Sequence, residues 1–389
     1  MDPAGLYALF DELRVMLLKE VIGQEKVKER LIRSVQEQRI SHAQLFSGPE
    51  GSGKLSLAIA YAQYISCRQR TDTDSCGECP SCRKYTKLIH PDLHFVFPIF
   101  KPKNNQRPFT DDFLKQWREF VLATPYFNLN QWLSFLNVEN AQGTIYAHES
   151  ESILRKLNIK SFESEYKVMI IWLPEKMQEE CANKLLKMIE EPPNKTLFLL
   201  VTEDEEAIIG TIRSRTQLIK IPPIELTALQ QAFLSREGLE PDTVAEMVHL
   251  SNGNYLKALE YLDMGEDKKF FFDSIRSMMR LAYSRKIVEL MELAEELAGI
   301  GREKQKDFFI YALHLMREYF MMNFKKPALT YLYKEEQDWG KDFSPFINER
   351  NIIPLARVFE EGHLHISRNG NSKIIFADVA LTIVRLIRR

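Results

Sequence analysis

Four of the five cysteines crowd into one short segment and have the spacing of metal ligands. Cys67, Cys76, Cys79 and Cys82 form the pattern C-x8-C-x2-C-x2-C. Two adjacent C-x2-C turns can bring four thiolates together around Zn²⁺, and four protein ligands leave no open position for catalysis. The segment therefore predicts a structural zinc module over residues 67–82. Free thiols or an iron–sulfur cluster are weaker interpretations, and the separate Cys181 is expected in the core.

A glycine-rich loop, Gly48–Lys54 with the sequence GPEGSGK, follows a short apolar run and precedes residues with helical spacing. Backbone N–H groups in this context can cradle phosphates, and the lysine can reach the β and γ phosphates. The residue after the lysine is Leu55, which cannot ligate Mg²⁺. The loop is either a pocket that holds phosphates but orders Mg²⁺ poorly, or a vestigial strand-to-helix turn. The predicted phosphate contacts are Gly48, Gly51, Gly53 and Lys54.

A parallel sheet would have to position this loop. Apolar runs alternate with helical patterns over about the first 220 residues, which predicts an α/β fold. Strands are predicted at Gln44–Ser47, Lys167–Leu173, Thr196–Thr202 and Leu218–Ile221, and helices at Leu55–Ile65 and Glu179–Glu191. Lys167–Leu173 is the only strand predicted between the glycine loop and Pro192-Pro193. After Pro222-Pro223 the pattern becomes helical to the end of the chain.

The strand Lys167–Leu173 lacks the acidic residues that ATP hydrolysis requires. In phosphate-loop ATPases an acidic residue at the end of a buried strand holds Mg²⁺. Trp172 and Leu173 stand at these positions, and Glu175 follows only after a proline, so we do not expect it to substitute. Together with Leu55, these residues predict that the chain does not hydrolyse ATP.

Length and composition limit the remaining possibilities. A chain of 389 residues is expected to form two or three domains. Its net charge of -2 argues against strong DNA binding by the isolated chain. No apolar run reaches the about 18 to 20 residues of a membrane span, and the first residues lack the pattern of a signal peptide. We therefore expect a cytoplasmic protein with no membrane partner.

Several segments, in order, resemble motifs of the bacterial clamp-loader AAA+ family. They are Val21–Gln24, Arg39–Phe46, the long and specific NKLLKMIEEPP of Asn183–Pro193, and Thr211–Thr216. The cysteine spacing after the glycine loop is also found in this family. The resemblance implies an α/β AAA+ P-loop domain with a parallel sheet over residues 1–223, a small helical lid over 224–268, and an all-helical collar for oligomerisation over 269–389.

The resemblance also implies roles for single residues. Arg215 would be an arginine finger that acts in trans on the nucleotide of a neighbouring subunit. Thr202 falls at the polar sensor position of the nucleotide site. Leu256 stands where the family has a second, arginine sensor, which is a third lost element for the use of ATP.

These losses point to the delta-prime type of subunit in the DNA polymerase III clamp loader. Such a subunit would work with the gamma/tau motor subunits and the delta subunit, and through them with the sliding clamp and primer-template DNA. One alternative is an ATP-hydrolysing, gamma/tau-like motor subunit. Another is a zinc-containing DNA-binding protein, against which the acidic residues Asp72, Asp74 and Glu78 of the cysteine segment argue.

Residues 97–143 are rich in aromatic side chains and contain Lys101, Lys103 and Arg107. Aromatic and basic residues together can stack on and neutralise single-stranded nucleic acid. The preferred interpretation is an elaboration of the α/β domain that packs its aromatic rings against the core.

Overall fold

The computed structural model describes residues 17–388 except 103–106, 139–141, 194, 236–238, 240, 264 and 325–331. Lys103 and the start of the chain, where no signal peptide was predicted, lie outside the described residues. The chain divides into two compact units, Met1–Leu259 and Glu260–Arg389. Across the described ranges, no helix has both the length and the apolar character needed to cross a membrane.

Five parallel strands form the sheet of the first unit in the order β2-β3-β4-β1-β5. The residues of β3 and β4 are all buried, which explains their unbroken apolar sequences, because both faces of a parallel sheet are covered. The strands are β1 (Ala43–Ser47), β2 (Leu93–Val96), β3 (Lys167–Trp172), β4 (Thr196–Thr202) and β5 (Gln217–Lys220). The parallel α/β fold predicted from the sequence is confirmed.

Strand β2 was not predicted, so the expectation of a single strand between the glycine loop and Pro192-Pro193 is wrong. The strand has only four residues, includes His94, and follows the turn-like Pro91-Asp92, so it carries little apolar signal of its own. It is held in register by β3, with Leu93 opposite Val168. Tertiary pairing therefore supplies what the local sequence lacks.

Helices cover the sheet and complete the first unit, and the last of them, Tyr255–Asp263, ends within the first residues of the second unit. Every residue of the helix after the glycine loop is buried, so it packs as a central element of this unit. The helices are α1 (Glu25–Gln36), α2 (Lys54–Ser66), α3 (Pro80–Tyr85), α4 (Leu114–Ala123), α5 (Leu129–Phe135), α6 (Glu149–Asn158), α7 (Glu179–Glu190), α8 (Gly210–Arg213), α9 (Leu226–Leu234), α10 (Pro241–Ser251) and α11 (Tyr255–Asp263). Short 3-10 turns occur at Leu18–Glu20, Thr110–Phe113 and Pro174–Lys176.

The aromatic segment packs inward. Trp117 is fully buried, with its ring stacked on Phe97 at 4.0 Å and edge-on to Trp132 at 5.2 Å. The same ring lies 5.3 Å from Trp172 of β3. Arg107 forms an ion pair with Glu151 at 2.6 Å. These contacts support the packing interpretation of this segment.

The second unit is helical in its described residues. One apolar cluster, drawn wholly from residues 271–387 of this unit, forms its core. The helices are α12 (Gly265–Ser284), α13 (Ile287–Gly299), α14 (Arg302–Met322), α15 (Lys334–Phe343), α16 (Ile352–Ser367) and α17 (Ser372–Leu386), with a 3-10 turn at Ser344–Phe346. The division into a lid over 224–268 and a collar over 269–389 remains a prediction.

Candidate nucleotide and metal sites

The glycine loop joins the end of β1 to the start of α2, as predicted for a phosphate loop. Gly51 and Gly53 have φ values of 71° and 79°, a left-handed conformation that favours glycine. At Gly48 an added Cβ would lie 2.2 Å from the carbonyl oxygen of Ile221. The three glycines therefore allow a tight approach of the loop to its surroundings, whether or not phosphates are bound.

Lys54 is engaged by the chain itself. Its Nζ donates a hydrogen bond to the carbonyl oxygen of Pro49 at 2.8 Å and lies 3.5 Å from Oε1 of Glu203. Burial lowers the pKa of Lys54, and the neighbouring Glu203 carboxylate partly offsets this effect. Burial raises the pKa of Glu203 in turn. The side chain expected to reach β and γ phosphates thus already has an oxygen and a carboxylate beside it.

Tyr126, from the aromatic segment, lies in the candidate nucleotide site. Its hydroxyl accepts a hydrogen bond from the backbone N–H of Ile22 at 2.9 Å. A Cβ added at Gly53 would lie 2.7 Å from the Tyr126 ring, and the ring of Tyr255 is 4.4 Å away. Beside them, Oδ1 of Asn254 lies against Gly51. A Cβ added at Gly51 would be only 1.9 Å from this oxygen.

Side chains of Tyr126, Asn254 and Tyr255 therefore occupy positions directly beside the glycine loop. Tyr126 was not predicted as a site residue, because no sequence motif marks it. The only signal was its place in an aromatic segment that follows β2. Leu256, which replaces the sensor arginine in the resemblance, is buried next to Tyr255.

The side of the loop where Mg²⁺ would be bound also differs from an ATPase site. The hydroxyl of Ser56 donates to the carbonyl oxygen of Pro125 at 2.7 Å, so it is committed to the aromatic segment. Thr202 is opposite Ser47 at the end of the β1–β4 pair, beside the start of the glycine loop. The hydroxyl of Thr202 donates to Oε2 of Glu175 at 2.9 Å.

Glu175 therefore lies closer to the site than its sequence position indicated. Leu173 adopts a left-handed φ of 53°, and the 3-10 turn Pro174–Lys176 follows it, bringing Glu175 beside β4. The second oxygen of Glu175 accepts from the N–H of Glu203 at 3.0 Å. Glu50, Leu173, Glu175 and Glu203 are among the residues that line an adjoining cavity of about 310 Å³.

Arg215 follows the short helix α8 and is partly exposed. Its Nε lies 2.5 Å from Oε1 of Glu190, at the end of α7. Its Nη1 donates to the carbonyl oxygen of Thr211 at 3.2 Å. The guanidinium is thus at the surface and paired with a carboxylate of the EEPP segment.

The four clustered cysteines come together as predicted. Their ligand atoms all lie within 4.8 Å of one another. Sγ of Cys67 is 3.5 Å from that of Cys76 and 4.0 Å from that of Cys79, and the Cys76–Cys82 separation is 3.9 Å. Four sulfurs at about 2.3 Å from a tetrahedral Zn²⁺ would be about 3.8 Å apart. The donor set and its spacing fit a zinc ion.

Local structure holds these thiols in place. The N–H groups of Cys76, Cys79 and Cys82 each point to the sulfur of the preceding cysteine in the group, at 3.3, 3.3 and 3.5 Å. Burial opposes ionisation of Cys79, but hydrogen bonds from backbone N–H groups and neighbouring thiols lower its pKa to about 6. Burial raises the pKa of the Cys67 thiol. Cys181 is buried elsewhere, in the apolar cluster beside the sheet.

Comparisons with known proteins agree with this geometry. The family described as "DNA polymerase III, delta subunit" matches residues 23–225. The chain is 26% identical to the DNA polymerase III subunit delta' of Bacillus subtilis over 64% of this chain and 68% of that protein. It is 27% identical to the DNA polymerase III subunit gamma/tau of Mycobacterium tuberculosis strain H37Rv, over 66% of this chain but only 38% of that protein.

Among solved structures, a DNA polymerase III gamma subunit-related protein of Thermotoga maritima aligns with 93% of this chain and 99% of its own, at a TM-score of 0.38 and 14% identity. The sheet order and the glycine loop after β1 define an AAA+ type of α/β module. The family match covers more than half of the chain and therefore narrows this AAA+ type of module to one family. The chain belongs to the DNA polymerase III delta-subunit family, and it is similar to delta-prime subunits.

Proposed function

We propose that this chain is a delta-prime-type subunit of a bacterial DNA polymerase III clamp loader. It would work in the cytoplasm with gamma/tau motor subunits and a delta subunit, and help to place the sliding clamp on primed DNA. The family match and the delta' relatives support this assignment. The observation that carries the choice of subunit type is Tyr126, which fills the candidate nucleotide site from within.

The residues of the same site also support the proposal that this subunit does not hydrolyse ATP. Leu55 replaces the hydroxyl that would ligate Mg²⁺, and Ser56 is bonded to Pro125. Lys54 is occupied by Pro49 and Glu203. Gly48, Gly51, Gly53, Lys54 and Thr202 are then the remains of a nucleotide site, and its glycines serve the packing of the loop.

Arg215 would contribute to catalysis in a neighbouring subunit. An arginine supplied in trans stabilises the charge that develops on the transferred phosphoryl group. Its partial exposure leaves it accessible to a partner, and its pairing with Glu190 would have to be exchanged for the nucleotide phosphate. This role rests on the resemblance of Thr211–Thr216 to the family motif.

Cys67, Cys76, Cys79 and Cys82 would hold one structural Zn²⁺. With four protein ligands the ion would have no free position for a substrate, so it would stabilise the segment 67–82 and take no part in chemistry. The close approach of the four sulfurs is the supporting observation.

A second candidate, an ATP-hydrolysing motor subunit, has one observation in its favour. Glu175 reaches the edge of the sheet next to Thr202, where an acidic residue could serve a metal ion. Its two oxygens are already engaged by Thr202 and by the N–H of Glu203. The gamma/tau relatives are also as similar in identity as the delta' relatives.

ATP turnover separates the two candidates. We expect no turnover by the purified chain alone. Turnover is expected when the chain is mixed with the motor and delta subunits of its organism, the sliding clamp and primed DNA. Arg215→Ala should lower this activity by about 10³-fold or more at the site that the finger serves. Because other sites in the ring would remain active, single-turnover rates give the clearest reading.

Lys220→Ala is a suitable control, because it removes another exposed cation that follows Arg215 by only a few residues. This variant should leave turnover in the mixture unchanged. Turnover by the isolated chain that is abolished by Glu175→Gln would instead identify a motor subunit. A mixture in which Arg215→Ala is fully active would contradict the role of the finger.

A further inference from the structure

A loop beside the cysteine module carries a strongly exposed aromatic side chain. Phe162 lies between α6 and β3 and is 75% exposed, the largest fraction among the exposed large apolar side chains of the described residues. Ile159 of the same loop is 53% exposed, and Ile89, three residues before Asp92, is 47% exposed. Nothing in the nucleotide or metal site uses these side chains.

The loop is held rigidly although its tip is exposed. The buried Asp92 carboxylate accepts hydrogen bonds from three successive N–H groups, those of Phe162, Glu163 and Ser164, at 2.7, 2.8 and 2.8 Å. Burial raises the pKa of Asp92, but these backbone hydrogen bonds outweigh that effect and hold the pKa below its usual value. The Asp92 carboxylate is therefore ionised at neutral pH and accepts these three hydrogen bonds under the loop.

A second anchor fixes the start of the loop. Lys167, at the first position of β3, is buried and donates from Nζ to the carbonyl oxygens of Lys156 and Leu157 at 3.1 and 2.9 Å, and to that of Ile159. A surface side chain on a loop that is already ordered loses little conformational entropy on binding. Aromatic residues, phenylalanine among them, are enriched in protein interfaces.

The surroundings of Phe162 are cationic. Lys160 is exposed two residues earlier in the loop. Arg68, directly after Cys67, donates to the carbonyl oxygen of Glu163 at 3.5 Å. Lys84, two residues after Cys82, forms an ion pair with the Glu163 side chain. The second carboxylate of the loop, Glu165, forms an ion pair with Lys195 at 2.8 Å. Four cations thus stand against two surface carboxylates, and the cysteine module positions two of the cations.

We propose that Phe162 and its cationic border form a docking surface for a partner protein that offers an apolar socket with a carboxylate rim. The exposed Ile159 of the same loop favours a protein, because an aliphatic side chain fits an apolar socket, whereas single-stranded nucleic acid is bound by series of aromatic rings. The net negative charge of the whole chain agrees with this choice. Charge complementarity would speed association with the acidic rim.

Binding of variants to purified partners tests the docking surface. The probes are the motor subunits, the delta subunit and the sliding clamp of the source organism, and a labelled primed DNA, a choice that rests on the proposed function. We expect Phe162→Ser to weaken binding to at least one of these proteins tenfold or more, and Phe162→Leu to restore most of it. Affinity for primed DNA should not change with either variant.

Lys160→Glu tests the cationic border, with Lys115→Glu on α4 as a matched control at another exposed position. Lys160→Glu should slow association with the same partner, and the effect should shrink as salt is raised. Lys115→Glu should leave association unchanged. Thermal unfolding of all variants should match that of the parent chain, because the substituted side chains are exposed.

The outcomes distinguish this inference from the proposed function. A parent chain that binds none of the partner proteins would contradict both. Normal complex formation by the parent and by Phe162→Ser alike would contradict the docking surface alone. Loss of DNA affinity only, or loss of self-association of the chain, would show that nucleic acid or a second copy occupies the surface and would also overturn it.

Discussion

At the scale of single residues, Tyr126 explains most about the nucleotide site. One hydroxyl satisfies the buried N–H of Ile22, and one ring fills the space against Gly53. A buried backbone N–H that loses its partner costs about 1–3 kcal/mol. Tyr126 thus joins the segment before α1, the aromatic segment and the glycine loop into one packed unit.

Tyr126→Phe should lower the free energy of unfolding of the first unit by about 1–3 kcal/mol, because the ring still packs while the N–H of Ile22 loses its acceptor. Chemical denaturation with tryptophan fluorescence measures the change. Tyr146→Phe is the matched control, since this tyrosine of the first unit is only partly buried, so that water can reach its side chain, and its effect should stay within about 0.5 kcal/mol.

An unchanged stability of Tyr126→Phe would mean that the Ile22–Tyr126 hydrogen bond does not hold the site closed. The interpretation of the site as self-occupied would then lose its main support.

At the scale of elements, the sequence predicts those parts that carry a strong local pattern. The continuous apolar runs of β3 and β4, the glycine loop and the cysteine spacing all have a direct physical signature, and each lies where it was predicted. Strand β2 was not predicted, because it is stabilised by pairing with β3 and has little apolar pattern of its own. The positions of Tyr126 and Glu175 were not predicted. Tyr126 lies in a long connection without a recognisable motif, and Glu175 is placed by the left-handed conformation of Leu173, which no sequence motif indicates.

The cysteine module is the element whose stability should depend most on a metal ion. Removal of zinc by a chelator should lower the midpoint of thermal unfolding of the first unit by about 5–10 °C, because four thiols, three of them buried, would lose the ion that they share. Calorimetry before and after chelation, with zinc content measured on the same samples, checks this. Cys79→Ser should lose the zinc and reproduce the chelated state.

Cys181→Ala is the control, because this fifth cysteine is buried but lies apart from the cluster. It should retain one zinc ion per chain and the full response to the chelator. Zinc binding that survives Cys79→Ser would require a different ligand set.

At the scale of the whole molecule, the chain consists of two units with separate cores. The buried apolar cluster of the second unit draws on α12 to α17 and on residues near them. A unit with its own core can fold alone. The predicted role of this region as an oligomerisation collar could therefore be studied without the nucleotide-binding-like module.

A fragment of residues 260–389 should fold by itself, with a helical circular dichroism spectrum and one cooperative thermal transition, because its apolar contacts are internal. Its transition should be insensitive to the chelator that destabilises the full chain. The control is the same fragment with Phe308→Ala, a fully buried core substitution that should cost about 3–5 kcal/mol. A fragment that unfolds gradually would show that its core depends on the first unit.

The proposal that Tyr126 takes the place of a nucleotide at the glycine loop has a consequence for the cell. A subunit that reads nucleotide changes its conformation as the supply of ATP rises and falls, whereas a site filled by a covalently attached tyrosine has the same occupant at every ratio of ATP to ADP. Because the tyrosine is part of the same chain, its effective concentration at the glycine loop does not depend on the concentration of any molecule in solution. On this proposal, starvation or energy stress would leave the conformation of the glycine loop unaltered, while nucleotide-dependent neighbours respond.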